Sequence, residues 1–122
     1  MDAGKNETKA ERKSDRELVV TRSFDAPAEV WDYALLLLKT VEKNSAGIDG
    51  WIQKCSAHWT LKRMALVDLN IMRIATCELK YPGADAVPPA VIINEAIEIS
   101  KKYGTVDSAA FVNGILDQVM KQ

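Results

Sequence analysis

Read as a helix, the segment Leu61–Tyr81 carries apolar side chains on nearly every face before it stops at Pro82-Gly83. Leu61, Met64, Leu66, Val67, Leu69, Ile71, Met72, Ile74, Cys77 and Leu79 leave it no broad polar stripe. A helix of that kind is stable only where other elements surround it. Lys62, Arg63, Asp68, Arg73 and Glu78 interrupt it, so no apolar run approaches the roughly 20 residues of a membrane span. The segment therefore predicts the central helix of a bundle, with Thr60 as its N-cap.

The neighbouring segments supply the helices around it. Val30–Val41 is apolar on more than one face, which predicts packing on two sides. After Asn44-Ser45, the residues Ile48, Trp51, Ile52 and Cys55 form an i, i+3, i+4, i+7 stripe. Gly47 and Gly50 are the expected break between these two pieces. Pro88-Pro89 opens a further helix carrying Val91, Ile92, Ala96 and Ile99, and Gly104 is expected to close it as a left-handed cap. Asp107 is expected to cap the last helix, which buries Phe111, Val112, Ile115, Leu116 and Val119. Asn94 and Asn113, set among apolar residues, read as structural hydrogen-bonders. With no strand pattern or repeat after Asp25, residues 25–122 predict an all-α bundle of about five helices.

The N-terminal 24 residues differ in kind. Met1–Glu17 alternates charges and holds almost nothing to bury, so it cannot offset its ordering entropy and is expected to be disordered. Leu18–Phe24, β-branched and aromatic, is the most strand-like piece of the chain. Residues 1–24 are thus expected to be disordered or only partly ordered. Asp25, with Pro27 and Glu29 behind it, has the pattern of a helix start.

Several function classes fall away. The formal net charge of −1 gives no broad basic surface for nucleic acid, although a small local site is compatible with it. The single histidine, His58, has no nucleophile at a motif spacing, and no glycine-rich phosphate loop or metal-ligand spacing occurs. No enzymatic activity and no cofactor are expected. Cys55 and Cys77 read as reduced, largely buried thiols, and with no signal peptide at the start of the chain a cytoplasmic location is expected.

What remains is a cluster of residues that packing alone does not demand. Tyr103 and Phe111 flank the Gly104 corner, where an aromatic either stacks on an unpaired base or simply pins the two helices. Ser108, at a helix N-terminus, would offer a hydroxyl and an N–H to a phosphate. Lys101 and Lys102 either add phosphate contacts or only complement the helix dipole. Asp68 interrupts the central helix, and a charge there needs solvent, an intramolecular pair with Arg73 or Arg63, or a partner. Arg73 and Glu78 read as residues that hold the bundle together.

The helix Leu66–Leu79, followed by Val87–Gly104 and Thr105–Asp117 with its Asp107-Ser108-Ala-Ala-Phe111-Val-Asn113-Gly114 run, resembles the NusB family of bacterial transcription antitermination factors. The resemblance runs from about Asp25 to Lys121 and lacks the family's first two helices. It implies a non-catalytic protein that binds single-stranded boxA-like RNA together with the small-subunit ribosomal protein NusE, within an RNA polymerase antitermination complex. It places Asp107 near the RNA with Tyr103, Ser108, Phe111, Lys101 and Lys102, and Asp68 on the face toward the ribosomal partner. The absent Arg-rich helix, and Ala90 where relatives often carry lysine, imply weakened RNA binding. The alternative is a protein-interaction module on the same scaffold without RNA. The uncovered apolar face implies that Leu18–Phe24 folds back over it, or that two chains meet there as a homodimer.

Overall fold

The computed structural model describes residues 9–14, 17–21, 27–83 and 86–122. Two antiparallel strands, β1 (Lys9–Ser14) and β2 (Glu17–Thr21), precede five α-helices: α1 (Ala28–Lys43), α2 (Ser45–Cys55), α3 (Leu66–Lys80), α4 (Pro89–Tyr103) and α5 (Ser108–Lys121). The expected all-α bundle of five helices is present. The first compact unit ends at Leu36, inside α1, and the second is Leu37–Gln122.

In the first unit, β1 pairs with β2 from Lys9 opposite Thr21 to Ser14 opposite Glu17, with an irregularity between Arg12 and Ser14. The strand expected at Leu18–Phe24 is thus present over its described part. Its partner β1 lies where no order was expected; pairing satisfies the backbone of a segment whose side chains gave no sign of burial. Asp25, the expected cap of α1, lies outside the described residues.

In the second unit, α3 packs against α2, α4 and α5, the central position its composition predicts. The core gathers Ile48 and Ile52 from α2, Leu69 and Met72 from α3, Ile92 and Ala96 from α4, and Val112, Leu116 and Val119 from α5. Arg73 joins α3 to α2 through a two-pronged pair with Asp49, Nε to Oδ1 at 2.8 Å and Nη2 to Oδ2 at 3.0 Å. The bundle-holding role expected of Arg73 is therefore met, with Asp49 as a partner the sequence did not reveal.

Several local expectations are corrected. Leu61–Arg63 forms a separate 3-10 turn, Thr60 makes no side-chain cap, and α3 begins only at Leu66. The interruption turns Met64 into the core. The break between the first two helices falls at Asn44, while Gly47 and Gly50 both lie inside α2. The Asn44 side chain donates to the Thr40 carbonyl at 2.9 Å, closing α1. No α1 residue is fully buried: Leu37 and Val41 lean on the core, and Val30, Tyr33 and Leu36 are exposed. Asn94 and Asn113 are solvent-exposed rather than structural hydrogen-bonders.

Thr76 is fully buried in α3, and its hydroxyl has no hydrogen-bond partner. An unpaired buried hydroxyl is destabilising, and valine keeps the branched shape without it. Thr76→Val is expected to raise stability by about 1 kcal/mol, read from the urea midpoint at unchanged m-value.

Candidate functional site

The site grows from two corners, each fixed by short-range hydrogen bonds. At the α4–α5 corner, the Gly104 N–H donates to the Ser100 carbonyl at 2.9 Å and closes α4. The Thr105 N–H donates to Ser108 Oγ at 2.8 Å, and the Ser108 N–H returns to the Thr105 carbonyl at 3.1 Å. This reciprocal pair is a capping box in miniature, so the turn into α5 starts at Thr105. Asp107 already has helical dihedrals and makes no side-chain cap. The capping expected of Asp107 is therefore performed by Thr105 and Ser108, and the Asp107 carboxylate stays exposed.

The other corner follows α2. The Gln53 amide donates to the Trp59 carbonyl at 2.8 Å and to Ser56 Oγ at 3.3 Å, and its Oε1 accepts from the Leu61 N–H at 3.3 Å. Ser56 Oγ donates to the Trp59 carbonyl at 3.1 Å. Ala57, between them, adopts φ 40°, a left-handed conformation that is uncommon for a residue with a Cβ. The strained turn and the Gln53 amide together present Trp59. Its indole meets the Phe111 ring edge-on, with centroids 6.1 Å apart and planes at 80°, a favoured aromatic geometry.

Between the two corners lies a cavity of about 300 Å³ lined by Trp59, Arg63, Met64, Ala65, Asp68, Thr105, Asp107, Ser108 and Phe111. Asp68 reaches it from the first turn of α3, although Leu66 and Val67 beside it are exposed. The Asp68 side chain is buried, at 7% exposure, and its Oδ1 accepts no hydrogen bond. It pairs with neither Arg63 nor Arg73, the latter being held by Asp49 and Asn70. A buried carboxylate oxygen without a donor is costly. It marks a place where a donor from outside would be bound strongly.

The cavity therefore offers two aromatic faces, two carboxylates and one guanidinium. Carboxylates accept from the amino groups of bases or from protein cations; they do not bind phosphates. Ser108 is 1% exposed with its hydroxyl and N–H both engaged, so it holds the corner and does not offer the phosphate seat expected of it.

The structure thus redraws the expected site. Asp107, Ser108 and Phe111 come together with Asp68, which the sequence assigned to a separate face. Tyr103 instead stands exposed on an open surface with Glu98, Ile99, Lys101 and Lys102. There Lys101 pairs with Glu98 at 3.5 Å, and Lys102 Nζ lies 5.5 Å from the centre of the Tyr103 ring. Trp59 and Arg63 complete the cavity, with Gln53 holding the turn behind Trp59, and sequence reasoning did not select them as site residues. A tryptophan in the stretch between two helical segments, outside either apolar stripe, was the one available sign of Trp59. Burial pushes both thiols above their ordinary range; at Cys55 nearby Lys54 and Lys80 partly oppose it.

A family model described as the NusB family matches residues 1–121. The chain belongs to the NusB family. The match takes in the segment before Asp25 as well, where the described residues form strands. A Bdellovibrio bacteriovorus protein named transcription antitermination protein NusB is 53% identical over 93 residues, covering 76% of this chain and 68% of the relative. A protein of the same name from Geotalea uraniireducens is 47% identical over 97 residues, covering 80% and 66%. The chain thus spans about two thirds of the length of these relatives. The solved structure of T. maritima NusB superposes with a TM-score of 0.74 at 38% identity, over 79% of this chain and 66% of that one. The relatives carry the name of antitermination proteins, not of enzymes. Among the described residues no helix is long and apolar enough to cross a membrane.

Proposed function

We propose that the chain acts in the cytoplasm as a transcription antitermination factor, holding single-stranded boxA-like RNA and the small-subunit ribosomal protein NusE side by side within an RNA polymerase antitermination complex. The observation that carries this reading is the convergence of Asp68, Asp107 and the Trp59–Phe111 pair on one cavity. An unpaired base stacks on the aromatic pair and donates its amino hydrogens to Asp107. A donor from the ribosomal protein reaches buried Asp68. Lys101, Lys102 and Tyr103 lie on the adjoining α4 end and meet the RNA backbone and a further base. Binding here relies on stacking and base edges more than on charge, which suits a chain of net charge −1 and predicts weakened affinity with a shallow salt dependence.

The test is binding of a fluorescent boxA-like RNA across a salt series, with and without the ribosomal protein. Phe111→Ala is expected to weaken RNA binding about tenfold, the contribution of one base–aromatic stack, at an unchanged salt slope. Unpartnered Asp68 also favours a second reading, an interaction module that binds protein without RNA. Partner binding that ignores RNA and is untouched by Phe111→Ala would establish that reading and sink the first.

A further inference from the structure

Trp51 lies on α2 outside the cavity just described. Lys80 Nζ stands 4.2 Å from the centre of its indole ring and Lys54 Nζ 5.2 Å. The two lysines come from the last turns of different helices, α3 and α2. A lysine near a helix C-terminus complements the dipole, which accounts for each singly but not for their convergence on one ring. The ion pairs formed among the described residues join Arg73 to Asp49, Lys101 to Glu98 and Lys121 to Asp117, and among these residues no carboxylate pairs with either ammonium. Their joint positive field is felt at Cys55, where both act to lower the thiol pKa against the larger effect of burial. In an otherwise slightly acidic chain this is a local cationic spot built around an aromatic.

Beside the ring is a shallow depression of about 210 Å³ lined by Gly47, Gly50, Trp51 and Lys54. Glycine inside a helix weakens it, so each glycine here calls for a cause. Gly47 has one: a Cβ there would collide with the Tyr81 hydroxyl. Gly50 has none within the fold, since a Cβ there would meet nothing within 4 Å. Its effect is to leave an open shelf next to the indole.

We propose that Trp51, Lys54 and Lys80 form a second single-stranded RNA contact, in which an unpaired base lies on the shelf against the indole and its flanking phosphates meet the two ammoniums. Aromatic platforms flanked by lysines take bases in this manner without reading sequence. An acidic peptide would use the lysines but has no use for a flat shelf beside a ring. Lys80 and Asp68 are separated along α3 by roughly 18 Å at the helical rise of 1.5 Å per residue. The contact is therefore distinct from the Phe111 cavity and does not depend on it.

Titration of the full chain with a fluorescent single-stranded RNA oligonucleotide across a salt series tests the proposal. Lys54→Gln with Lys80→Gln is expected to reduce the slope of log affinity against log salt by about 1.4, two single-strand phosphate contacts. Gly50→Leu fills the shelf and is expected to weaken binding roughly tenfold, while its thermal midpoint does not fall because the space is open. An unchanged slope in the lysine variant, or unchanged affinity in Gly50→Leu, overturns the proposal. So does an absence of RNA binding by the full chain, or competition by polyglutamate to which Gly50→Leu is indifferent. Phe111→Ala, run in parallel, reports on the other site: its failure to weaken binding alongside the expected lysine and Gly50 effects would reject the cavity reading and leave this one standing.

Discussion

Replacing Gly104 with alanine is expected to destabilise the chain by about 3 kcal/mol, at the upper end of the usual cost of forcing atoms into a packed site. The added Cβ would run into the Ser108 side chain and come within 2.8 Å of the Ser100 carbonyl oxygen. Neither can give way. The Ser108 hydroxyl is held by the Thr105 N–H, and Ser100 is fully buried with its own hydroxyl donating to the Ala96 carbonyl at 2.8 Å. The backbone of Gly104 is extended, with φ −96° and ψ −165°, so the cost comes wholly from close approach. That distinguishes it from the left-handed cap the sequence suggested. A left-handed cap tolerates asparagine; here Gly104→Asn is expected to be at least as damaging as alanine. Urea unfolding of both variants decides the point, with Gly114→Ala as the control, because a Cβ at Gly114 meets nothing. A benign Gly104→Asn would refute the close-approach account.

Asp68→Leu is expected to separate stability from binding. The carboxylate is buried with one oxygen unpaired, so an apolar replacement of similar size removes a desolvation cost and is expected to stabilise the fold by about 1–2 kcal/mol. If the donor that satisfies Asp68 comes from the ribosomal partner, the same change leaves that donor unpaired in the complex. Loss of one member of a buried polar pair costs about 2–5 kcal/mol in binding, a weakening of about thirtyfold or more. Urea unfolding and partner titration on one preparation measure both. A variant that is less stable yet binds the partner normally would show that Asp68 serves the fold alone.

The architecture was legible because burial patterns are local in sequence. The apolar circumference of Leu61–Tyr81 required a central helix, and α3, which forms its Leu66–Lys80 part, is packed by α2, α4 and α5. Pro88-Pro89 and Gly104 marked the ends of α4, and the stripe Ile48, Trp51, Ile52, Cys55 marked α2. The segments Leu66–Leu79, Val87–Gly104 and Thr105–Asp117 together carried the family resemblance, which the matching family model shows to be membership.

The site was legible only in pieces. Phe111 and Asp107 could be selected as residues out of keeping with plain packing, and so could Asp68, but not the cavity that joins them. Their meeting depends on how α3 lies against the α4–α5 corner, and no spacing along the chain encodes that. Trp59 was hidden for a similar reason: its place is set by Gln53 and Ser56 across a turn whose Ala57 adopts a conformation alanine does not advertise.

The sequence by itself thus determined the helices, their order and the family, because apolar periodicity, prolines and caps act over a few residues. The tertiary structure alone decided that Ser108 faces inward and that Tyr103 stands apart from Phe111. It alone decided that a carboxylate is buried unpaired and that two lysines share one indole. Those are properties of contacts between elements, and such contacts arise only when the helices pack.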